Sequence, residues 1–486
     1  MTPDFDVLAV GFGPVGVTLS GMLARRGVRV VAVDREADIF PLPRAAHLDA
    51  EVMRILQDLG CADEVAPSMI ASKGMDFLTA DREVLLSMRS GGVTRSGWPA
   101  SSFFHQPALE VPMRRAALGH GATVRFGLDV TEVEDMGDHV RVGFADGSSC
   151  TARFVVGCDG ARSTVRRLSG ITMHDLQFEE PWLVLDLLLH DGTPLPTEVA
   201  FQVCDPARPH TLVPMPPPRF RFEFMLLPGE DPAHIASEAV VRDLIAPWVH
   251  PDGVTIERSA VYTFHGLIAH QWRVGRVLLA GDSAHQMPPF LGQGMCSGIR
   301  DAANLAWKLA AVVHGTSPID LLDTYQTERE PHVRTIVENA VGFGRLICTT
   351  DADAAAERDR NMLAARAAGG GNVAGRVGPT LPEGALVAAG GLAVLQPTVD
   401  GARLDDLMGT GFAALVRSGR HTTPEGARFW QAQGAVVLRA DTVPEVAAVL
   451  DELGADAVVV RPDRYVLWTG ERLTEPGADA VALLTR

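Results

Sequence analysis

The feature that most constrains this chain is a glycine-rich turn near its start, between two segments that predict buried strands. Apolar and β-branched residues from Phe5 to Val10 predict the first strand, which leads into Gly11-Phe12-Gly13-Pro14-Val15-Gly16. Residues Val17 to Arg26 predict a helix, and Val28 to Val33 predict a second buried strand closed by Asp34. This order predicts a βαβ unit within a parallel sheet.

Each glycine of the turn has a distinct physical role. Gly11 permits the tight turn, Gly13 lets a pyrophosphate approach the backbone, and Gly16 lets the helix pack closely on the strand. The N-terminus of the helix supplies amide donors and a positive dipole end, and Asp34 can accept hydrogen bonds from ribose hydroxyls. The unit predicts nucleotide binding, and a plain glycine turn is the alternative.

A second segment, Phe154 to Arg166, predicts a buried strand that ends in an acid and a glycine and precedes a basic helix start. Asp159 can accept a hydrogen bond from a cofactor hydroxyl, and Arg162 and Arg166 can donate to a phosphate. Taken alone, a strand that ends in Asp-Gly is more often only a turn.

A third segment, Arg276 to Met295, predicts another buried strand that leads to Gly281-Asp282. Asp282 can bind a ribityl chain, Pro288-Pro289 stiffen the next loop, and Gly292 and Gly294 let the backbone lie against a flat ring. The helix that begins near Gly294 directs its N-terminus at that ring, where its dipole stabilises negative charge. His285 is interpreted as a packed or loop-anchoring histidine.

Composition excludes several classes of partner. The formal net charge of −17 repels nucleic acid and anionic membrane surfaces. No apolar run reaches the roughly 18 residues that a spanning helix requires, and the first apolar segment is too short for a signal peptide, so the cytoplasm is the expected location. The six cysteines form no CxxC pair and no cluster with zinc spacing, so no metal site is expected.

The pattern along the chain predicts an α/β protein with several parts. We expect the first part of the nucleotide-binding domain at 1–172, with an excursion into a second domain near 73–100, and a β-rich substrate-binding domain at 173–264. The nucleotide-binding domain resumes at 265–350 with long helices. Residues 351–384, rich in Ala, Gly, Asp and Arg, predict a flexible linker, and 385–486 predict a small α/β domain.

Together, the three segments resemble the class A flavin-dependent aromatic hydroxylases, which have the para-hydroxybenzoate hydroxylase fold. The match spans about residues 5 to 345. Finer features resemble the 3-(3-hydroxyphenyl)propionate hydroxylase branch: Pro43-Arg44-Ala45 with Asp49-Ala50-Glu51, Gly97-Trp98-Pro99, His105-Gln106-Pro107, Phe222-Glu223-Phe224-Met225 and Val261-Tyr262-Thr263. The segments Leu395-Gln396-Pro397 and Arg461-Pro462-Asp463 are similar to that branch's thioredoxin-like tail, here without a CxxC.

The resemblance implies a Rossmann-like FAD-binding domain with an inserted β-sheet substrate domain and a thioredoxin-like C-terminal domain. It implies an FAD site formed by Gly11, Gly13, Pro14, Gly16, Asp34, Arg35, Arg44, Gln106, Asp159, Gly281, Asp282, Pro289, Gly292, Gly294 and Met295. Many relatives have Asn two residues after the last loop glycine, whereas Met295-Cys296 follows Gly294 here. The backbone amides are then expected to replace the Asn side chain as donors to the flavin.

The reacting end is expected to combine the Pro288 loop with side chains from the β-rich block. Candidate catalytic residues are Pro288, Gly292, Tyr262 and His210, and candidate substrate-binding residues are Asp49, Gln202, Arg219 and Arg221. The alternatives are solvated strand faces for the arginines and a helix N-cap for Asp49.

As the resemblance implies, FAD is the cofactor, NADH or NADPH is a transient reductant, and O₂ supplies the oxygen through a C4a-hydroperoxyflavin. The expected substrate is a small phenolic compound, a 3-(3-hydroxyphenyl)propionate-like acid. A tailoring monooxygenase of the same fold, acting on a polyketide or other secondary metabolite, is the alternative. A non-catalytic FAD-binding protein is a third hypothesis, and the sequence leaves a homodimer open.

Overall fold

The computed structural model describes residues 2–374 and 380–486. Its strands are β1 (Phe5–Val10), β2 (Val30–Asp34), β3 (His47–Asp49), β4 (Ile70–Ala71), β5 (Met75–Leu78), β6 (Val84–Arg89), β7 (Ser101–Phe103), β8 (Thr123–Phe126), β9 (Val130–Asp135), β10 (Val140–Phe144), β11 (Ser149–Gly157), β12 (Met173–Leu189), β13 (Ala200–Val203), β14 (His210–Pro214), β15 (Arg219–Met225), β16 (Val254–Ala269), β17 (Arg273–Val274), β18 (Val277–Leu279), β19 (His285–Gln286), β20 (Asn372–Ala374), β21 (Thr398–Val399), β22 (Ala402–Arg403), β23 (Ala413–Val416), β24 (Val436–Arg439), β25 (Ala457–Val460) and β26 (Val466–Gly470).

The α-helices in the same described ranges are α1 (Pro14–Arg25), α2 (Ala50–Leu59), α3 (Ala62–Val65), α4 (Gln106–Gly119), α5 (Thr164–Leu168), α6 (Pro232–Ile235), α7 (Glu238–Ile245), α8 (Gly294–His314), α9 (Asp323–Ile347), α10 (Ala352–Ala367), α11 (Leu404–Met408), α12 (Pro424–Ala432), α13 (Val446–Glu452) and α14 (Ala478–Leu484). None of these helices is long and apolar enough to cross a membrane.

The first sheet has the order β17-β18-β11-β1-β2-β8, and β9 and β10 extend it from β11. The neighbours from β18 to β8 run parallel. The apolar run of β1 is buried, and α1 packs against both α4 and α8. Helices cover both faces of a parallel sheet. Its strands are therefore buried on both sides, and their sequences are apolar throughout. The predicted Rossmann-like sheet is confirmed.

The second sheet has the order β19-β16-β12-β15-β14-β13-β5-β6-β20 and is mostly antiparallel. Strands β5 and β6, from the segment near 73–100, join it through a parallel pairing of β5 with β13. Leu185, Leu212 and Phe222 lie in an apolar core on one face, whereas Gln202 and Thr211 line a cavity on the other. The alternation of side chains along each strand therefore divides the sheet between packing and function.

The predicted flexible linker at 351–384 is wrong for its first half, because residues 352–367 form α10. The side chain of Asp351 accepts a hydrogen bond from the amide of Ala354, so α10 begins with an ordinary N-cap. Alanine and arginine are good helix formers, and the composition that suggested a linker also suits a solvent-facing helix. Residues 375–379 of the predicted linker lie outside the described residues.

The C-terminal part has a sheet of order β24-β23-β25-β26, in which β23 and β24 are parallel and β25 is antiparallel to both of its neighbours. Helices α12, α13 and α14 complete a βαβαββα sequence of elements. The thioredoxin-like classification stays a prediction with which this order agrees. Buried ion pairs join this part to the rest: Arg54 binds Asp405 at 2.6 Å, and Arg461 binds Glu328 at 2.8 Å.

Candidate active site

A cavity of about 1020 Å³ extends from the glycine turn to the second sheet. Most of the predicted site residues line it: Gly11, Gly13, Pro14, Asp34, Arg35, Arg44, Asp49, Gln106, Asp159, Gln202, Arg221, Asp282, Pro289, Gly292, Gly294 and Met295. Gly16, Gly281, Pro288, Tyr262, His210 and Arg219 do not contribute to its lining. The three sequence segments therefore meet around one cavity, as parallel strands ending at a common edge require.

The glycine turn has the geometry that its sequence predicts. Gly11 has φ +99°, and a Cβ on Gly16 would lie 1.9 Å from the carbonyl oxygen of Gly11. A Cβ on Gly13, by contrast, would meet no atom within 4 Å. Gly13 is the residue before α1, which has no side-chain N-cap. Gly16 thus serves packing, while Gly13 and the first amides of α1 leave an open cradle for an anion.

Asp34 stabilises the turn from the end of β2. Its carboxylate accepts hydrogen bonds from the amides of Phe12, at 2.7 Å, and Glu36, at 2.9 Å. Arg35 follows it and forms a surface ion pair with Glu36 at 3.3 Å. Both Asp34 and Arg35 line the cavity, so they remain candidates for contact with the adenosine half of a dinucleotide.

Gln106 positions the loop that carries Arg44. Its side-chain oxygen accepts hydrogen bonds from the amides of Arg44, at 2.9 Å, and Ala45, at 2.8 Å. Its side-chain amide donates to Glu110 at 2.9 Å. Arg114, which sequence reasoning missed, also lines the cavity and has a buried Nε without a partner among the described residues. Such an orphaned donor fits a phosphate-bearing ligand.

Asp159 and Asp282 end equivalent strands but have different surroundings. The carboxylate of Asp159 accepts bonds from the Ser163 hydroxyl and from the amides at the start of α5, so it already acts as a cap. Asp282 is exposed to the cavity, and its carboxylate has no hydrogen-bond donor among the described residues. Desolvation by the surrounding protein raises the pKa of Asp282 above its ordinary value. Asp282 is therefore free to bind a ribityl hydroxyl.

The loop before α8 forms the wall of the cavity between the two sheets. Pro288 is buried away from the cavity, whereas Pro289, Gly292 and Gly294 face it. Gly292 has φ +63°, and Gly294 begins α8. Gln293, between these glycines, is 1% exposed and has a side-chain amide nitrogen without a partner in the described chain. This donor, absent from the sequence-based site, is suited to a polar edge of a flat ligand.

Gly281 and His285 lie beneath the loop rather than in the cavity. The amide of Gly281 donates to Asp301 at 3.1 Å, and His285 Nε2 contacts the same carboxylate at 2.6 Å. His285 is 0% exposed, which confirms it as a packed, loop-anchoring residue. Gly281 therefore positions Asp282 without itself lining the cavity.

Two side chains predicted for the reacting end, those of His210 and Tyr262, do not line the cavity. His210 is adjacent to the cavity-lining Thr211, but its ring stacks on Phe224 on the opposite face of the sheet. The guanidinium carbon of Arg258 lies over the Tyr262 ring, 4.7 Å from the centre of that ring. Neighbouring side chains of a strand point to opposite faces of the sheet, which explains why Thr211 lines the cavity and His210 does not. His210 therefore points away from the cavity, and Tyr262 does not contribute to its lining.

The two predicted substrate arginines are both engaged in ion pairs. Arg219 binds Glu257 at 3.0 Å at the edge of β15, outside the cavity. Arg221 is 3% exposed and binds Asp186 at 2.7 Å, and it also donates to the carbonyls of Pro43 and Arg44. Arg221 therefore holds the Arg44 loop against the sheet. Gln202 accepts a bond from Thr211 at 2.6 Å and remains on the cavity wall.

The structure adds a charged cluster that the sequence did not reveal. Arg300 of α8 binds Asp49 at 2.5 Å and Glu51 at 2.8 Å. The side chain of Asp49 also caps α2, the alternative that the sequence left open. The Tyr465 hydroxyl, from the C-terminal part, donates to Glu51. Burial opposes ionisation of Glu51, but the attraction of Arg300 and the Tyr465 hydrogen bond outweigh it and lower the pKa of Glu51 to about 2.

Comparison with known proteins agrees with this geometry. The family model for an FAD binding domain matches residues 4–340. A probable NADH-specific resorcinol 4-hydroxylase of Rhodococcus jostii (strain RHA1) is 39% identical over 95% of this chain and 91% of that protein. A 3-(3-hydroxy-phenyl)propionate/3-hydroxycinnamic acid hydroxylase of Mycolicibacterium gilvum (strain PYR-GCK) is 35% identical over 95% of this chain and 88% of that protein.

Solved structures show the same architecture. Aklavinone-11 hydroxylase, solved with FAD and aklavinone, superposes with a TM-score of 0.81 at 25% identity and covers 99% of this chain and 98% of that one. The chain belongs to the FAD-binding family of flavin-dependent aromatic hydroxylases. The open cradle at Gly13, the unpaired Asp282 carboxylate and the orphaned donors of Arg114 and Gln293 fit FAD. The protein is therefore an FAD-dependent aromatic monooxygenase.

No group of three or more His, Cys, Asp or Glu side chains within residues 2–374 and 380–486 has the arrangement of a metal site.

Proposed function

We propose that this protein hydroxylates a small phenol, using O₂ and NADH or NADPH. The observation that carries the proposal is the continuity of the cavity, which joins the cradle at Gly13 to the polar face of the second sheet past Gly292. The chemistry that FAD supplies when bound is acceptance of hydride from the nicotinamide and transfer of one oxygen atom from O₂ to the ring. The chain supplies orientation and a water-poor environment.

We infer that the substrate is a 3-(3-hydroxyphenyl)propionate-like acid or a closely related phenol. The relatives from Mycolicibacterium and Rhodococcus, which are named for such compounds, cover nearly the whole chain. Arg89 supports an acid, since it lines the cavity with 53% of its side chain exposed. It binds Asp76 at 2.5 Å, so a substrate carboxylate would share this arginine with a protein carboxylate.

A second candidate is a tailoring monooxygenase that acts on a polyketide or other secondary metabolite. The structural likeness to aklavinone-11 hydroxylase supports it, because that likeness covers 99% of this chain. The relatives with higher identity are named for small phenols, which favours the first candidate.

Three further points rest on the sequence: the predicted domain limits, a cytoplasmic location and a homodimer. Limited proteolysis, cell fractionation and light scattering of the purified protein test them in that order.

The experiment that tests the proposed function measures oxidation of NADH and of NADPH with a panel of phenols, and quantifies peroxide and product in parallel. We expect one small phenol, with or without a short acid side chain, to stimulate oxidation with little peroxide. A flat response to small phenols together with turnover of a polycyclic phenol would favour the second candidate. Purified protein that is colourless and releases no flavin on denaturation would contradict both.

A further inference from the structure

A histidine and a serine on the cavity wall, His47 and Ser101, form a hydrogen-bonded pair. His47 lies on β3 and Ser101 on β7, and the two strands are antiparallel neighbours. The His47 ring lies between the carbonyl of Gly292, 3.1 Å from Nδ1, and the hydroxyl of Ser101, 2.6 Å from Nε2. His47, Ser101 and Gly292 all line the cavity.

The two partners decide the tautomer of His47. A backbone carbonyl only accepts hydrogen bonds, so Nδ1 must carry the proton that it donates to Gly292. Nε2 of the neutral ring then presents its lone pair, and the Ser101 hydroxyl donates to it. The Ser101 oxygen keeps lone pairs with which it can accept a bond from a further donor in the cavity.

The electrostatic surroundings keep the ring in its accepting form. Burial lowers the pKa of His47, and the nearby Arg300 of α8 acts in the same direction. The carboxylate of Asp49 on β3 and the Gly292 carbonyl act in the opposite direction and stabilise a transient imidazolium. The ring is therefore neutral at rest near neutral pH and can take up a proton beside a compensating carboxylate.

We propose that Ser101 and His47 are the proton relay that ionises the substrate phenol, an inference that rests on the proposed function. The phenol O–H donates to Ser101 Oγ. As the phenol O–H bond breaks, its proton passes to Ser101 Oγ, and the former Ser101 proton passes to His47 Nε2. The products are a phenolate and an imidazolium, with no change in net charge or oxidation state. The phenolate ring is the more electron-rich form and accepts electrophilic oxygen more readily.

The relay also joins proton transfer to the loop beside the cofactor. The imidazolium retains its Nδ1–H bond to Gly292, and the added positive charge strengthens that bond. Serine relays the proton because its hydroxyl donates and accepts at once. Ser101 and His47 are thus the groups assigned to proton transfer, whereas Asp49 and Arg300 act on His47 through their charges.

The test uses 4-nitrophenol as a probe bound to the oxidised, FAD-loaded protein, because its phenolate absorbs visible light and no turnover is needed. Difference spectra over a range of pH report the apparent pKa of the bound probe. We expect wild-type protein to bind the phenolate preferentially. In Ser101→Ala and His47→Gln, the pKa of the bound probe should rise by about 1 unit or more, roughly a tenfold loss of preference for the phenolate.

Two further variants make the test specific. Ser90→Ala removes a cavity-wall hydroxyl that bonds the Ser72 carbonyl instead of a histidine, and should leave the pKa of the bound probe unchanged. His265→Gln removes another cavity-lining histidine, so a rise in the pKa of the probe in this variant alone would overturn the assignment. Ser101→Ala retains the His47–Gly292 contact and is the decisive variant if His47→Gln does not fold.

Turnover gives an independent measurement. Hydroxylation by Ser101→Ala and His47→Gln should fall by roughly 10²- to 10⁴-fold at neutral pH and recover towards high pH, where the phenol ionises in solution. A purely structural defect would not recover with pH. If the probe binds wild type and both variants with the same pKa, the relay is overturned while the proposed function stands. If wild-type protein neither binds the probe nor hydroxylates any phenol, the proposed function fails.

Discussion

The two ends of the cavity are built in different ways. The cofactor end consists mainly of backbone: Gly11, Gly13, the first amides of α1 and the loop from Gly292 to Gly294. The expected substrate end consists of side chains from β13, β14 and β15 and from the helices α2 and α8. Ion pairs between segments that are distant in the sequence hold these side chains in place. A backbone cradle is determined by residues a few positions apart, whereas a side-chain wall depends on strand register and on remote partners.

The largest effect is expected from Gly16→Ala at the cofactor end. Its Cβ would lie 1.9 Å from the Gly11 carbonyl oxygen, so α1 must move away from the turn. We expect loss of soluble, FAD-containing protein. Gly13→Ala is the matched change, because its Cβ meets no protein atom within 4 Å. The apoprotein of Gly13→Ala should melt like wild type but bind FAD about tenfold or more weakly, by titration calorimetry. Equal FAD affinity in Gly13→Ala would mean that the pyrophosphate lies elsewhere.

Next in size is Arg221→Met at the substrate end. Its loss leaves the carboxylate of Asp186, which is 0% exposed, with Arg258 at 3.3 Å as its remaining ion-pair partner among the residues that the structure describes. Breaking such a buried pair costs about 3–5 kcal/mol. Arg219→Ala breaks a half-buried pair on the same strand and should cost about 1 kcal/mol or less. Denaturant unfolding midpoints measure both. Similar midpoints for the two variants would contradict the expectation that the buried Arg221–Asp186 pair contributes more stability than the half-buried Arg219–Glu257 pair.

The smallest effect is expected from Tyr465→Phe, which tests whether the C-terminal part supports the substrate end. Removing its hydroxyl takes one donor from Glu51, at a cost of about 1.5–3 kcal/mol for a bond to a charged group. Tyr325→Phe removes a buried hydroxyl that donates to the Leu279 carbonyl, before Gly281. Steady-state kinetics should show a raised KM for the phenol in Tyr465→Phe only, with FAD affinity unchanged. A raised KM in both variants would indicate a general loss of packing.

Sequence reasoning succeeded where the determinants are local. The start of α8 at Gly294 and the bounds of β1 agree with the predicted segments. It failed for α10, because a composition rich in Ala and Arg was interpreted as a linker although it also suits a solvent-facing helix. It did not identify β14, which begins at His210, and so could not tell that the His210 ring stacks on Phe224 on the face of the sheet opposite to the cavity.

The sequence by itself determined the cofactor family and the turn where we expect the pyrophosphate, because the glycines of that turn lie within six residues of one another. Only the tertiary structure decided which polar side chains line the cavity and which partners hold them. Tyr465 and Glu51 are 414 positions apart, and Arg300 meets Asp49 across 251 positions. No periodicity along the chain encodes such contacts, because they arise only when helices and sheets pack and bring buried charges to their partners.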